Sequence, residues 1–411
     1  MGKITPWPEQ LELSAQGYNI LKQNGLLYLA MEERTGKTLT SILVCEGTTL
    51  SRILVVTKKK ALKGWEDTLD NFTHFCSYTV VNYHNIDKVK GEFDLIIIDE
   101  AHAYISGYPK PSKMWKQLKK LCKDKPIIYM SATPYAQGIQ LLYHQLALSD
   151  WSPWSEFITF FAWFKHFADK DKNGQLKVKY INHNQTVIDY TAVKHDLAIA
   201  SVEHLFITKT RQELGFEHEP EDVIHYIELS ERTKLVYNTI IKDNVIEFTY
   251  GDSNKDYCLV CDTPARLRTS LHMIEGGVLK VDECYLDLSN NEKIDYIMKI
   301  WGDTQELVIM YHYIAEGEKL RKLFKHAQIL QGISYAEGVD LSMYKHLIIY
   351  SQDFSTAKHT QRRARQSNKN RKEDIKVHYL LVKKAVSEQV YNAVSVNKEN
   401  FVDSVFEREV L

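Results

Sequence analysis

The run Phe93-Asp94-Leu95-Ile96-Ile97-Ile98, ending directly in Asp99-Glu100, constrains this chain more than any other stretch. Four consecutive branched aliphatic residues leave no polar face, so the strand they form has to be covered on both sides. That is the position of an inner strand in a parallel sheet with helices above and below it. The two carboxylates that follow then fall on the carboxyl edge of the sheet, where open α/β folds bind their ligands.

Three further runs of the same kind are Leu26-Leu27-Tyr28-Leu29, Arg52-Ile53-Leu54-Val55-Val56 and Pro126-Ile127-Ile128-Tyr129-Met130. Helical patterns lie between them, so strand and helix alternate. From Trp151 to about His225 that rhythm stops. Trp151, Trp154, Phe157, Phe160, Phe161, Phe164 and Phe167 recur at helical spacing, as a core stripe does, with a stacking platform for DNA bases as the minority reading. Asn173-Gly174 then suggests a hairpin leading into Leu176–Tyr180. The rhythm resumes at about Lys293, with strands at Glu306–Met310, His346–Tyr350 and Lys376–Val382 and a helix at Glu318–His326. The expected fold is α/β, with two parallel-sheet domains in tandem and a helical and hairpin insertion. The expected boundaries are residues 1–150, an insertion at 151–225 that returns to the first domain, and 226–411. A length of 411 residues suits two or three domains.

Arg34-Thr35-Gly36-Lys37-Thr38 follows the first of these strands and opens a helix through Leu39, Ile42 and Leu43. Backbone N–H groups at such a helix start can cradle phosphate oxygens, aided by the positive end of the helix dipole. Lys37 is placed to reach the β- and γ-phosphates of a nucleotide and Thr38 to hold Mg²⁺. Met31 stands where the usual first glycine of this loop would be. Asp99 is the second expected Mg²⁺ group, acting through water, and Glu100 the one that polarises the attacking water. A chance Gly-Lys-Thr at a helix start and a solvated acidic strand end are the bland readings of these two features. The two halves in the right order and context favour ATP hydrolysis.

Asp99-Glu100-Ala101-His102, followed by Ser131-Ala132-Thr133-Pro134 after the next strand, resembles superfamily two helicases, whose lobes are RecA-like. Within them the chain resembles the Swi/Snf-like branch, in particular its small bacteriophage members, over about Pro8 to Val390. The resemblance gives Gln10 the reading of adenine, the segment Arg34, Thr35, Gly36, Lys37 and Thr38 the phosphates, and His102 a bridge from the acid pair to Ser131 and Thr133. It also gives DNA contacts to Thr57 and Lys58, with Gly64-Trp65-Glu66 in the same motif, and to Lys209 and Arg211 in Phe206–Arg211. In the second lobe, Gly338 and Asp340 resemble the motif that senses ATP and DNA. Gln361 and Arg365 resemble the arginine-finger motif, with Arg362 and Arg363 beside them as DNA contacts. The family's further arginine, seven places after its glutamine, is Asn368 here; Arg371 and Arg362 are the alternatives, or that finger is absent.

Composition agrees with a globular chain, 44% apolar and 26% charged, with no apolar run long enough for a membrane span. Six irregularly spaced cysteines and a start without a secretory pattern suggest a reducing compartment, the cytoplasm. Cys258 and Cys261 have zinc-ligand spacing, but no second pair lies near, so ordinary thiols are expected. Net charge is −1, yet Lys358 to Lys372 carries seven basic residues and no acid. A motor that repeatedly releases phosphates needs such local charge rather than a basic chain. The expected activity is a DNA-stimulated ATPase using ATP and Mg²⁺ as a helicase on forked or branched DNA, monomeric or weakly self-associating and without sequence preference. The alternatives are a duplex translocase that never separates strands and, on the strength of Met31 and Asn368, a degenerate nucleic-acid-binding module.

Overall fold

A computed structural model describes residues 4–135, 138–182, 185–250, 255–332, 341–354, 359, 362–369 and 371–395. Gly338, Asp340 and Gln361 lie outside the described residues. The chain divides into two compact units, Met1–Gly215 and Phe216–Leu411.

The first unit is built on strands β1 (Leu26–Met31), β2 (Arg52–Thr57), β3 (Ser77–Asn82), β4 (Leu95–Asp99), β5 (Ile127–Met130) and β8 (Phe206–Lys209). They form one sheet in the order β3-β2-β4-β5-β1-β8, and every pairing is parallel. The solid aliphatic runs sit inside: all residues of β4 and β5 are buried, while β3 at one edge is mostly half-buried. Helices α1 (Pro8–Asn24), α2 (Lys37–Glu46), α3 (Leu62–Asn71), α4 (Ala101–Ile105) and α5 (Lys113–Cys122) alternate with these strands. Helix α6 (Leu142–Leu146) precedes the expected insertion. There, α7 (Phe160–Phe167) buries Phe160, Trp163, Phe164 and Phe167 in the same core as Trp154, so most of the aromatic stripe is packing. Trp151 and Phe161 are partly exposed. Hairpin β6–β7 (Val178–Asn182, Gln185–Ile188) and helix α8 (His195–Ala200) follow before the chain returns as β8.

The second unit has its own parallel sheet, in the order β15-β14-β16-β17-β9. Its strands are β9 (Pro220–Tyr226), β14 (Leu307–Tyr311), β15 (Gln328–Gln331), β16 (His346–Ile349) and β17 (Ile375–Leu381). Two small antiparallel hairpins, β10–β11 (Val245–Tyr250, Lys255–Val260) and β12–β13 (Val278–Val281, Cys284–Asp287), come before β14. Strand β9 pairs with β17 along its whole length, from Pro220 against Ile375 to Tyr226 against Leu381. The chain is therefore in the second sheet by Pro220, where the sequence rhythm set the change near residue 225. As an edge strand with mixed exposure, β9 lacks the solid apolar run that marks an inner strand. Both sheets are parallel and alternate with helices, the α/β build with two parallel-sheet domains in tandem that the sequence leads one to expect.

Candidate nucleotide-binding site

The chain leaves β1 at Met31 and enters α2 at Lys37 through a loop that only a flexible residue closes. Gly36 adopts φ 81° and ψ 24°, the left-handed region that costs glycine least. A Cβ there would stand 2.3 Å from Gln10 Nε2. That amide donates to the Gly36 carbonyl at 3.2 Å, and its Oε1 accepts from the Trp7 N–H at 2.9 Å. Gln10 is thus buried against the phosphate loop. Arg34 also has a positive φ, 66°, and Thr35 is buried with its hydroxyl donating to the Glu32 carbonyl.

Lys37 folds back over this loop, its ammonium donating to the carbonyls of Met31 at 2.7 Å and Glu32 at 2.6 Å. Burial lowers its pKa, while Glu33, Glu100 and Asp99 pull it back upward. The lysine and the acid pair therefore share one electrostatic environment although their strands are not neighbours: β5 lies between β1 and β4. Thr38 follows in the first turn of α2, half-buried. Glycines are scarce here, and carboxylates take their place. The Arg211 backbone N–H donates to Glu32 Oε2 at 2.8 Å, and its guanidinium lies 3.8 Å from the carboxylates of both Glu32 and Glu33.

Asp99 is 9% exposed, and its Oδ2 accepts two hydrogen bonds, from Thr57 Oγ1 at 2.7 Å and from Trp65 Nε1 at 3.2 Å. Its backbone carbonyl accepts from the Tyr83 hydroxyl at 2.7 Å. Burial, and then the charge of Glu100, raise the Asp99 carboxyl to about 6, against the pull of Thr57, Trp65 and Lys37. Glu100 turns the chain from β4 into α4 with a left-handed backbone, φ 55°. Its Oε2 lies 3.6 Å from Lys58 Nζ and 3.6 Å from His102 Nδ1. His102 Nδ1 in turn is 2.7 Å from Ser131 Oγ, which accepts from the Thr133 N–H at 3.0 Å. The expected bridge from the acid pair to Ser131 and Thr133 is present as that chain of contacts. Thr38 and Asp99 each carry an oxygen of the kind a divalent cation takes, and the Asp99 carboxyl is held by two neutral donors.

Several residues expected at DNA are turned inward. Thr57 is wholly buried, its hydroxyl committed to Asp99, because β2 is an inner strand whose end points into the sheet edge. Arg211 is buried against the acids of the phosphate loop. In the second unit, Arg362 is 1% exposed and pairs with Asp353 at 2.8 Å. Arg363 donates to Asp222 at 2.7 Å and to the Pro220 carbonyl at 2.8 Å, which ties it to β9. In each case a guanidinium meets a carboxylate of its own unit. Lys209 stays partly exposed and contacts Glu213 at 3.4 Å. Arg365 is buried in a short 3₁₀ turn, Ala364–Gln366. Trp65 belonged to an expected DNA motif, and Tyr83 was missed altogether. Trp65 comes from the segment after β2, the strand beside β4, and Tyr83 from the end of β3, one strand further out.

Comparison with known proteins adds a family match over residues 67–136 to "Type III restriction enzyme, res subunit", a stretch holding the acid pair and Ser131-Ala132-Thr133-Pro134. The RNA polymerase-associated protein RapA of Erwinia tasmaniensis is 30% identical over 97 residues, covering 23% of this chain and 10% of RapA. The chain thus matches about a tenth of that relative's length. Among solved structures, the Sulfolobus solfataricus SWI2/SNF2 ATPase core in complex with dsDNA has 15% identity and TM-score 0.45, covering 99% of this chain and 93% of that one. The Sulfolobus solfataricus SWI2/SNF2 ATPase core domain has 14% identity and TM-score 0.43, covering 100% of this chain and 91% of that one. The res-subunit match and the RapA match are both likenesses of part of the chain, and the res-subunit match falls within the first unit.

Proposed function

We propose that the chain is an ATP-driven DNA translocase whose ATPase is stimulated by DNA, and that it acts as a helicase on forked or branched DNA. The observation that carries this reading is the first unit's gathering of Lys37, Asp99, Glu100, His102 and Ser131 around one sheet edge. Lys37 exchanges its carbonyl partners for the phosphates, the N–H groups at the start of α2 face them, and Gln10 fixes the loop against which the base lies. Thr38 and Asp99 are the oxygen donors for Mg²⁺, which neutralises phosphate charge when bound. Glu100 accepts the proton of the attacking water, and Arg365 is proposed to offset charge during hydrolysis, with Gln361, Gly338 and Asp340 in the roles the family gives them. DNA is gripped through phosphates, with Lys58 and Lys209 as the candidate contacts, so binding weakens with salt and ignores sequence.

Among the described residues no helix is long and apolar enough to cross a membrane. A duplex translocase that never separates strands is the second reading, favoured by the same ATP site. ATP turnover measured with single-stranded, duplex, forked and four-way DNA, together with strand displacement on the fork, decides between them. Equal turnover with and without every DNA removes the proposal.

A further inference from the structure

One stretch of chain, Thr57 to Trp65, touches both carboxylates of the acid pair and treats them differently. Asp99 is fixed by two neutral donors, the Thr57 hydroxyl and the Trp65 indole. Glu100 instead meets a cation, Lys58 Nζ at 3.6 Å, with the lysine side chain 11% exposed and the glutamate 20%. An ammonium in contact with a carboxylate fixes where that carboxylate points and competes with any other donor for its oxygens. The group expected to activate water is therefore held by a residue whose other natural partner is a phosphate. The same stretch presents Lys59 and Lys60 outward, both exposed, immediately after Lys58. A DNA backbone drawn to those two lysines arrives next to Lys58 as well.

We propose that Lys58 is a DNA-sensing latch on Glu100. Without DNA the ammonium engages Glu100 and keeps hydrolysis slow. A DNA phosphate competes for that ammonium, and Glu100 is released toward His102 and the attacking water while Asp99 stays fixed. Lys58 acts here as a positioning residue, through Glu100 rather than on the nucleotide. The latch rests on the proposed ATPase and explains how one strand end could couple DNA contact to it.

The test compares the full chain with K58Q, K58M and K58R, measuring ATP turnover without DNA and with saturating duplex and single-stranded oligonucleotides. K58Q and K58M keep the aliphatic stem, so folding is checked by melting in both, and either folded variant suffices. The latch predicts that they raise the DNA-free kcat roughly three- to ten-fold, the scale of losing one partly buried ion pair. KM for ATP stays near wild type, the stimulation by DNA shrinks, and K58R keeps the low DNA-free rate. A DNA-free kcat at or below wild type in K58Q and K58M, with only weaker DNA binding, overturns the latch and leaves Lys58 a plain phosphate contact. Failure of the wild-type chain to hydrolyse ATP with any DNA removes the ATPase reading itself, and the latch with it.

Discussion

The indole N–H of Trp65 lies 3.2 Å from Asp99 Oδ2 and shares that oxygen with the Thr57 hydroxyl. Hydrogen bonds to the charged form lower a carboxyl pKa, and here they work against burial and Glu100, which together raise it to about 6. Removing the donor while keeping an aromatic ring, W65F, is expected to move that pKa upward. The acid limb of the ATPase pH profile then shifts to higher pH, with turnover at neutral pH reduced several-fold, about the effect of one charge-assisted bond. An unshifted limb would show that the indole bond has no bearing on the metal carboxylate.

Thr57 separates two roles that the sequence could not distinguish. As a DNA contact, its loss would weaken DNA binding; as a buried donor to Asp99, its loss touches hydrolysis. Its hydroxyl is wholly buried, so T57V is expected to lower kcat several-fold and leave the Kd for duplex DNA within about two-fold of wild type. Fluorescence anisotropy with labelled duplex, beside an ATPase assay, reads both. A large loss of DNA affinity with normal turnover would return Thr57 to the DNA surface.

Arg362 and Asp353 form a buried pair within the second unit, at 2.8 Å. Breaking such a pair from one side leaves the other charge uncompensated, at a cost of about 3–5 kcal/mol. R362A is expected to lower the melting temperature and expose the second unit to protease, and any loss of DNA binding should follow that loss of folding. A variant that melts like wild type yet binds DNA poorly would instead make Arg362 a direct contact.

The parts of this molecule that could be read from sequence are those where one local pattern decides the outcome. Inner strands such as β4 are solid aliphatic runs, and the residues at their ends are fixed by the direction of the sheet. Edge strands carry no such mark: β3, β8 and β9 mix exposed and buried positions, so β9 was taken for part of the insertion. The site divides the same way. Lys37, Asp99 and Glu100 were legible because strand, loop and helix fix them in succession. The partners of Asp99 were not, since Thr57, Trp65 and Tyr83 reach it from the ends of other strands and the segments after them, 16 to 42 positions away. The carboxylate partners of the arginines were hidden for a related reason. A basic run shows charge but not the acids waiting for it, and Asp222 meets Arg363 from 141 positions away.

The raised carboxyl of Asp99 also makes a prediction about stability. A group whose folded-state pKa lies above its unfolded value of 3.8 binds more protons folded than unfolded between those two pH values. Stability therefore falls as pH rises from about 4 to about 6, and above that the full cost of a buried charge is present. D99N removes the charge while its amide oxygen can still accept from Thr57 and Trp65. The variant is expected to lose ATP turnover yet melt above wild type at pH 7.5, with the difference shrinking as pH drops toward 4. Thermal melts of both proteins across that range measure the effect. A D99N chain that melts below wild type at pH 7.5 would mean that the carboxylate is stabilised where it stands, and that the structure at this sheet edge depends on its charge.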